Sequence, residues 1–403
     1  MKLRSHAVRR RLWRAAARRV SVGVAGAVGL ALAAAPAGLA QNGAQDAPTI
    51  TTTDEGRFHI ETLAEGLELP WSIAVLPDGS VLVTEKQVGR LRRIDADGLR
   101  ETPIAGVPDD LFTLGQGGLL DVVAHPDFEN NGLIYLSYTW GELSANAVRV
   151  ARGRLEGDTL HDVEVLFTSG PPKDTSIQFG GRLAFLPDGT FILTLGEGFV
   201  WREDSQRLTT HLGKVIRLND DGSIPADNPY RDVEDALPEI WTIGHRNPQG
   251  LAVDPVTGTI YESEHGPWGG DELNTLASEH NYGWPVATHG LDYNGAPISP
   301  FTTYPGMDDP VVYWTPSIAT SGLAVYRGDL FPEWNGDVLA GGMQALAVAR
   351  VDMDAPGGPR EAERLFEDLS ARVRDVRVGP DGAIYLLAEA QRDGKVLRVT
   401  PAD

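Results

Sequence analysis

The stretch TSIQFGGRLAFLPDGTFILTLGEG, residues 175–198, decides the fold. In it an apolar run from Leu183 meets Pro187, Asp188 and Gly189 and continues as a second apolar run from Phe191. Proline fixes φ and glycine accepts positive φ, so this triplet reverses the chain and the two runs read as a β-hairpin. Glycines open the hairpin at Gly180 and Gly181 and close it at Gly196 and Gly198. That arrangement presents whatever lies at its mouth to a ligand. The mouth residue is Gln178, whose amide neither takes nor gives a proton at ordinary pH.

The same pattern recurs along the chain as SIAVLPDGSVLVTEK, VVAHPDFENNGLIYLSY, LAVDPVTGTIYESEHG, LFPEWNGDVLAGG and VRVGPDGAIYLLAEA. A further short alternating segment follows several copies, as in GRLRRID, GKVIRLN, ALAVARVD and GKVLRVT. Each unit therefore holds three or four strands. Six units of irregular spacing fit blades joined by loops of varying length, and the expected architecture is an all-β six-bladed β-propeller. A double β-sandwich is the alternative. Helical periodicity is scarce, and DELNTLASEHN, residues 271–281, reads as a short helix or a loop. The longest insertions, around residues 143–178, 210–237 and 289–320, are expected to crowd one face and build a site there.

Composition agrees with many turn-linked strands: 46 glycines, 27 prolines and 42 % hydrophobic residues in a chain of 403. There is no cysteine, so disulfides and thiolate metal sites are excluded, and a metal must be held by oxygen or imidazole. Residues 1–40 run from basic through apolar, with the small residues Gly38 and Ala40 before a cleavage point, and read as a secretory signal peptide. A membrane anchor is the competing reading, and Arg9, Arg10 and Arg11 leave a twin-arginine signal open. Residues 41–57 read as a flexible segment and 58–403 as the propeller. The expected location is periplasmic or secreted. Without the signal the chain keeps 27 basic against 56 acidic residues, which argues against nucleic acid or an anionic membrane as a partner. Monomer and homodimer are both compatible with these features.

The densest chemistry lies in IWTIGHRNPQGLAVDPVTGTIYESEHGPWGGDELNTLASEHNYGWP, residues 240–285. Arg246 and Asn247 sit in a turn before a strand and could offer a guanidinium fork and an amide to a carboxylated or quinone-bearing ligand. They could equally be a buried arginine holding loop carbonyls. Glu264, Asp271 and Glu272 lie among glycines, and hard oxygen donors on such a loop suit Ca²⁺; a solvated acidic loop is the alternative.

Six motifs in order, GQGGLLDVVAHPDF, FGGRLAFLPDGT, GHRNPQGLAVDP, SEHGPWGGDELN, NYGWP and RVRDVRVGPDG, resemble the soluble PQQ-dependent aldose sugar dehydrogenases of the glucose/sorbosone dehydrogenase family. The resemblance implies a six-bladed propeller carrying PQQ and calcium, a sugar or polyol substrate, hydride transfer to PQQ, an external electron acceptor and a periplasmic location. It places Gln116 beside quinone and substrate, Arg246 and Asn247 on PQQ, and Arg372 and Arg374 on its carboxylates. Alternate residues of a strand share a face, so both arginines can enter one pocket. It gives the carbonyls of Gly266 and Pro267 to a calcium bridging protein and PQQ, and Glu272 and Tyr282 to a second calcium. His265 reads as structural.

Two positions depart from the family pattern. The histidine that takes the sugar hydroxyl proton is replaced by Gln178, and a lysine on a PQQ carboxylate is replaced by Gln344. Loss of a positioned base costs about 10²- to 10⁴-fold in rate. The sequence therefore carries two further readings: a non-catalytic saccharide or small-molecule binding propeller with a degenerate quinone site, and a calcium-dependent hydrolase or lactonase.

Overall fold

The computed structural model describes residues 49–53 and 56–402. The signal-peptide reading falls on residues outside these. Six antiparallel sheets follow one another along the chain, five of four strands and one of five. Five of the six quoted hairpins are the inner pair of one sheet; LFPEWNGDVLAGG, residues 330–342, holds only the second strand of its sheet, Val338–Gly342, after a 3-10 turn at Pro332–Trp334, and the inner strand Thr320–Val325 precedes it. The innermost strands are Pro70–Val75 in blade 1, Leu119–Ala124 in blade 2, Gly180–Phe185 in blade 3, Pro248–Val253 in blade 4, Thr320–Val325 in blade 5 and Arg372–Val378 in blade 6. Neighbouring inner strands pack side by side around a closed ring, last against first. This is the six-bladed propeller expected from the repeat.

The Pro-Asp-Gly turns explain why the hairpins form where they do. In blades 1, 3 and 6 the glycines Gly79, Gly189 and Gly382 have φ of 82°, 85° and 76°. In each turn the aspartate, Asp78, Asp188 or Asp381, accepts a hydrogen bond from the backbone N–H two residues on, in Ser80, Thr190 and Ala383. The side chain thus reproduces a turn of backbone at each site.

The ring is closed by the chain ends. Strand Gly56–Leu67 pairs antiparallel with the C-terminal strand Gly394–Pro401, with Ile60 opposite Val399 and Glu61 opposite Arg398. Phe58 and Ile60 are buried among Phe331, Trp334 and Phe366 between blades 5 and 6. Strand Thr49–Thr53 extends the same sheet, so part of the segment read as flexible is a strand. Two other expectations are corrected. Residues 271–276 form the third strand of blade 4, with Leu273 fully buried opposite Ser263, because their apolar residues serve a sheet face. The supposed insertion at 143–178 contains the outer strands Ala145–Glu156 and Thr159–Thr168 of blade 2, which leaves only the loop after Thr168 to reach the inner mouth.

Blades are joined by a recurring hydroxyl relay. Thr84 of blade 1 accepts from Ser72 N–H in its own blade and donates to the Leu120 carbonyl of blade 2. Ser137 does the same between Asp121 N–H and the Gly181 carbonyl, and Thr194 between Arg182 N–H and the Pro248 carbonyl. The axis itself is blocked by buried charge. Arg182 of blade 3 meets Asp121 of blade 2 at 3.4 Å and Asp375 of blade 6 at 3.1 Å, and Arg377 meets both aspartates at 3.3 Å. Each aspartate also accepts a backbone N–H from the next blade, Leu183 for Asp121 and Ile73 for Asp375.

Removing one partner of a buried charge cluster leaves the others uncompensated. Arg182→Leu is expected to destabilise the fold by roughly 3–5 kcal/mol in urea unfolding. Arg154→Leu, at an exposed pair, should cost no more than about 1 kcal/mol. Equal midpoints for the two variants would contradict the role given to the axial cluster.

Candidate active site

Above the Arg182 cluster, at the end where the inner strands begin, lies a cavity of about 180 Å³. All six blades line it: Trp71 and Lys86, Gln116 and Leu120, Phe179 and Gly180, Asn247, Gln249 and His265, Ala319 and Met343, Arg372 and Arg374. The floor is held from below. Arg182 donates through Nε to the Gln249 carbonyl at 2.7 Å and through Nη2 to the Arg374 carbonyl at 3.1 Å, and its guanidinium lies 4.1 Å from the Trp71 ring centre.

The cavity is cationic. Glu389 bonds Arg372 Nε at 2.9 Å and Arg374 Nε at 2.6 Å, and Arg374 also donates to Gln249 Oε1 at 3.0 Å. Burial raises the Glu389 carboxyl, yet Arg374, Arg372 and Lys86 outweigh it and hold the group below its ordinary range. One carboxylate therefore faces three cations. His265 adds no charge: burial, reinforced by Arg246 and Arg374, holds its imidazole below the usual value, and Nε2 lies 2.6 Å from the Thr320 carbonyl.

The Gln178 region forms the edge of this cavity rather than its wall. Gln178 is buried with φ of 54°, a left-handed conformation that a non-glycine residue adopts at a cost. Its N–H donates to Gln116 Oε1 at 2.7 Å, while its own Oε1 has no hydrogen-bond partner among the described residues. The loop behind it carries Glu197, fully buried, with both carboxylate oxygens lacking a hydrogen-bond partner among the described residues. Burial pushes Glu197 up to about 7 against the pull of Arg246, Arg202 and Lys173. Burial likewise pushes Lys173 down to about 7, although Glu197 opposes the shift. Lys173 is anchored on the Ile177 carbonyl at 2.5 Å and lies 3.6 Å from the Phe179 ring centre.

Arg246 lies next to the main cavity, in the wall of a smaller one with Glu264, Gly266, Glu272, Tyr282 and Trp284. Its Nη1 donates at 2.8 Å to the carbonyls of both His265 and Gly266. The loop-holding role weighed for this arginine is thus present, and the Gly266 carbonyl is shared with it. Glu264 fixes the turn by accepting from the N–H groups of Arg246 and Asn247. Asn247 turns its Oδ1 to Gly180 N–H at 3.3 Å and does line the main cavity. Glu272 stands directly opposite Glu264 across two strands, and burial together with the Glu264 charge raises its carboxyl well above the usual value. The carbonyls of Gly269 and Gly270 converge on Gly266, where a Cβ would meet them at 2.2 and 2.3 Å. Pro267 is buried in the same turn.

Of the residues expected from sequence, Gln116, Asn247, Arg372 and Arg374 come together around one cavity. Gln344 does not join them; it is exposed on the turn after Met343, and Met343 lines the wall instead. Lys86, Gln249 and Met343 were missed, and His265, read as structural, also lines the cavity. A signal for three of them exists in the repeat: Lys86, His265 and Met343 each directly follow the second strand of their blade, after Glu85, Glu264 and Gly342. Gln249 is two residues from Asn247 on the same strand.

The chain matches the glucose / sorbosone dehydrogenase family over residues 67–398. It is 38 % identical over 348 residues to the aldose sugar dehydrogenase YliI of Escherichia coli, covering 85 % of this chain and 93 % of that protein. The crystal structure of the soluble aldose sugar dehydrogenase from Escherichia coli in the apo form superposes with a TM-score of 0.81, covering 86 % of this chain and all of the other. The PQQ-bound aldose sugar dehydrogenase of Streptomyces coelicolor, 27 % identical, superposes with a TM-score of 0.69 over 88 % of this chain and all of the other. The blade order, the axial cavity and these similarities establish that the chain belongs to the glucose/sorbosone dehydrogenase family.

Proposed function

We propose that this protein is a PQQ-dependent dehydrogenase that oxidises an aldose or related polyol and passes the electrons to an external acceptor outside the cytoplasm. The observation that carries the proposal is the axial cavity, where Lys86, Arg372 and Arg374 face a single carboxylate and the amides Gln116, Asn247 and Gln249 surround them. Such a site suits a planar, multiply carboxylated ligand with quinone oxygens to be hydrogen-bonded. PQQ, when bound, supplies the two-electron acceptor. The chain supplies the rest. Arg372 and Arg374 hold carboxylates, Asn247 and Gln116 orient the reacting end, and Trp71 and Phe179 shield the cavity from water.

Calcium fits the neighbouring turn. Glu272 faces the buried Glu264 carboxylate, and that charge together with desolvation raises the Glu272 carboxyl unless a cation compensates it; the carbonyls of Gly266 and Pro267 with Tyr282 add hard oxygen donors. Arg246 would steady that turn through the Gly266 carbonyl and support the reacting end from the side.

Gln178 sets the limit on rate. It stands at the family's base position and can orient a hydroxyl through its unpartnered Oε1, but it accepts no proton. The binding propeller and the hydrolase gain no support from a specific feature of the site.

Mixing the purified chain with PQQ and Ca²⁺ is expected to give a bound quinone spectrum that bleaches on adding an aldose. A bound quinone that no member of a panel of aldoses and polyols reduces would overturn the enzymatic reading. Chelation should lower the melting temperature, since an ion held by the native state alone stabilises it by mass action; an unchanged melting point with no calcium by elemental analysis would remove the metal from the account. Gln178→His should raise dye-coupled sugar oxidation by about tenfold or more, mainly in kcat, because imidazole restores an acceptor with a pKa near working pH. An unchanged or lower kcat in a variant that still binds PQQ would show that the proton already leaves by another route.

A further inference from the structure

We infer that Lys86 is a third anchoring cation for the carboxylates of the bound quinone, in place of the lysine that Gln344 replaces; this inference rests on the PQQ reading above. The lysine is 7 % exposed and lines the axial cavity, yet its ammonium makes no hydrogen bond or ion pair with any other described residue. Arg372 and Arg374 already engage Glu389, the acidic residue that faces this group. A buried cation without a counter-ion of its own is costly, and such a group persists where a ligand supplies the missing charge.

The backbone holds this lysine in place. Its N–H donates to the Leu69 carbonyl at 3.1 Å, and its carbonyl accepts from Leu119 N–H at 2.9 Å. Gly118, with φ of 138°, clears room for it: a Cβ there would sit 2.1 Å from the Lys86 carbonyl oxygen and 2.8 Å from its Cγ. The glycine pair of the GQGG motif thereby admits the lysine stem beside Gln116. On the far wall, Gln344 is exposed and outside the cavity lining, and Met343 offers no charge. The positive charge missing from blade 5 is supplied from blade 1.

The charge state supports the assignment. Burial and the positive charges of Arg374 and Arg372 push the Lys86 ammonium down to about 8, with Glu389 opposing, and His265 on the blade 4 wall contributes no charge. Lys86 is therefore protonated at neutral pH and loses its proton as pH rises through about 8. A carboxylate bound beside it favours the charged form, so binding takes up a proton above that pH.

The test is equilibrium binding of PQQ to the full chain with Ca²⁺, followed by protein fluorescence and by the shift in melting temperature, for the wild type, Lys86→Met and Lys86→Arg. Lys86→Met is expected to weaken binding roughly 10- to 100-fold, as loss of a charged hydrogen bond would. Lys86→Arg should stay within a few-fold of wild type. Wild-type affinity should fall between pH 7.5 and about 9.5, whereas Lys86→Met should lose that slope. Without ligand, Lys86→Met should melt at or above the wild-type temperature, because a buried uncompensated charge is gone. If it fails to fold, Lys86→Gln carries the same expectations for affinity and pH slope. Equal affinity and an equal pH slope in wild type and Lys86→Met would overturn the inference while leaving PQQ binding intact. Absence of PQQ binding to the wild type would overturn the PQQ reading itself.

Discussion

The ion cluster around Arg182 is the interaction on which the site depends. Its two arginines and two aspartates come from blades 2, 3 and 6, balance in charge and close the axis of the ring. Below it the axial cavity of about 530 Å³ is lined largely by the apolar ends of the inner strands, such as Val75, Val123, Phe185 and Val325. Above it the cavity is blind and polar. Because the cluster is neutral, it does not absorb the positive charge of Lys86, Arg372 and Arg374. Because Arg182 also donates to the carbonyls of Gln249 and Arg374, the same side chain that seals the axis sets the height of two residues in the site floor.

The site follows from the symmetry of the repeat and its local breaking. Each blade brings two places to the mouth: the start of its inner strand and the residue after its second strand. The first gives Trp71, Gly180, Asn247 and Arg372, and the second gives Lys86, His265 and Met343. A propeller thus offers the axis a ring of positions, and this chain fills it with cations on blades 1 and 6 and amides on blades 2 and 4. That polarity orients a ligand whose carboxylates lie toward one side and whose hydrogen-bonding oxygens lie toward the other.

Sequence revealed the blades because Pro-Asp-Gly turns and strict alternation are local properties. It failed where strand and loop share a composition: residues 271–276 carry the helix formers Glu272, Leu273 and Leu276, and only their pairing with Ile260–Glu264 makes them a strand. Arg372 and Arg374 were legible because residues two apart on a strand share a face. Lys86 was not, since its meaning comes from Glu389 being taken by two arginines more than 280 residues away. Arg246 was read either as a ligand-facing fork or as a holder of loop carbonyls, and both of its short contacts go to loop carbonyls. Nothing local in HRNPQG separates these two uses. The Gln178 substitution was legible at once, but the buried, unpartnered carboxylate of Glu197 behind it was hidden in an unremarkable LGEG turn.

The central claim is that the cationic chamber above Arg182 is the cofactor site. A crystal structure of the chain grown with PQQ and Ca²⁺ tests it most directly. The account predicts quinone density in the chamber lined by Lys86, Asn247, Arg372 and Arg374, with its carboxylates on the blade 1 and blade 6 side. Density in the apolar chamber below Arg182, or an upper chamber holding only water at saturating PQQ, would contradict it.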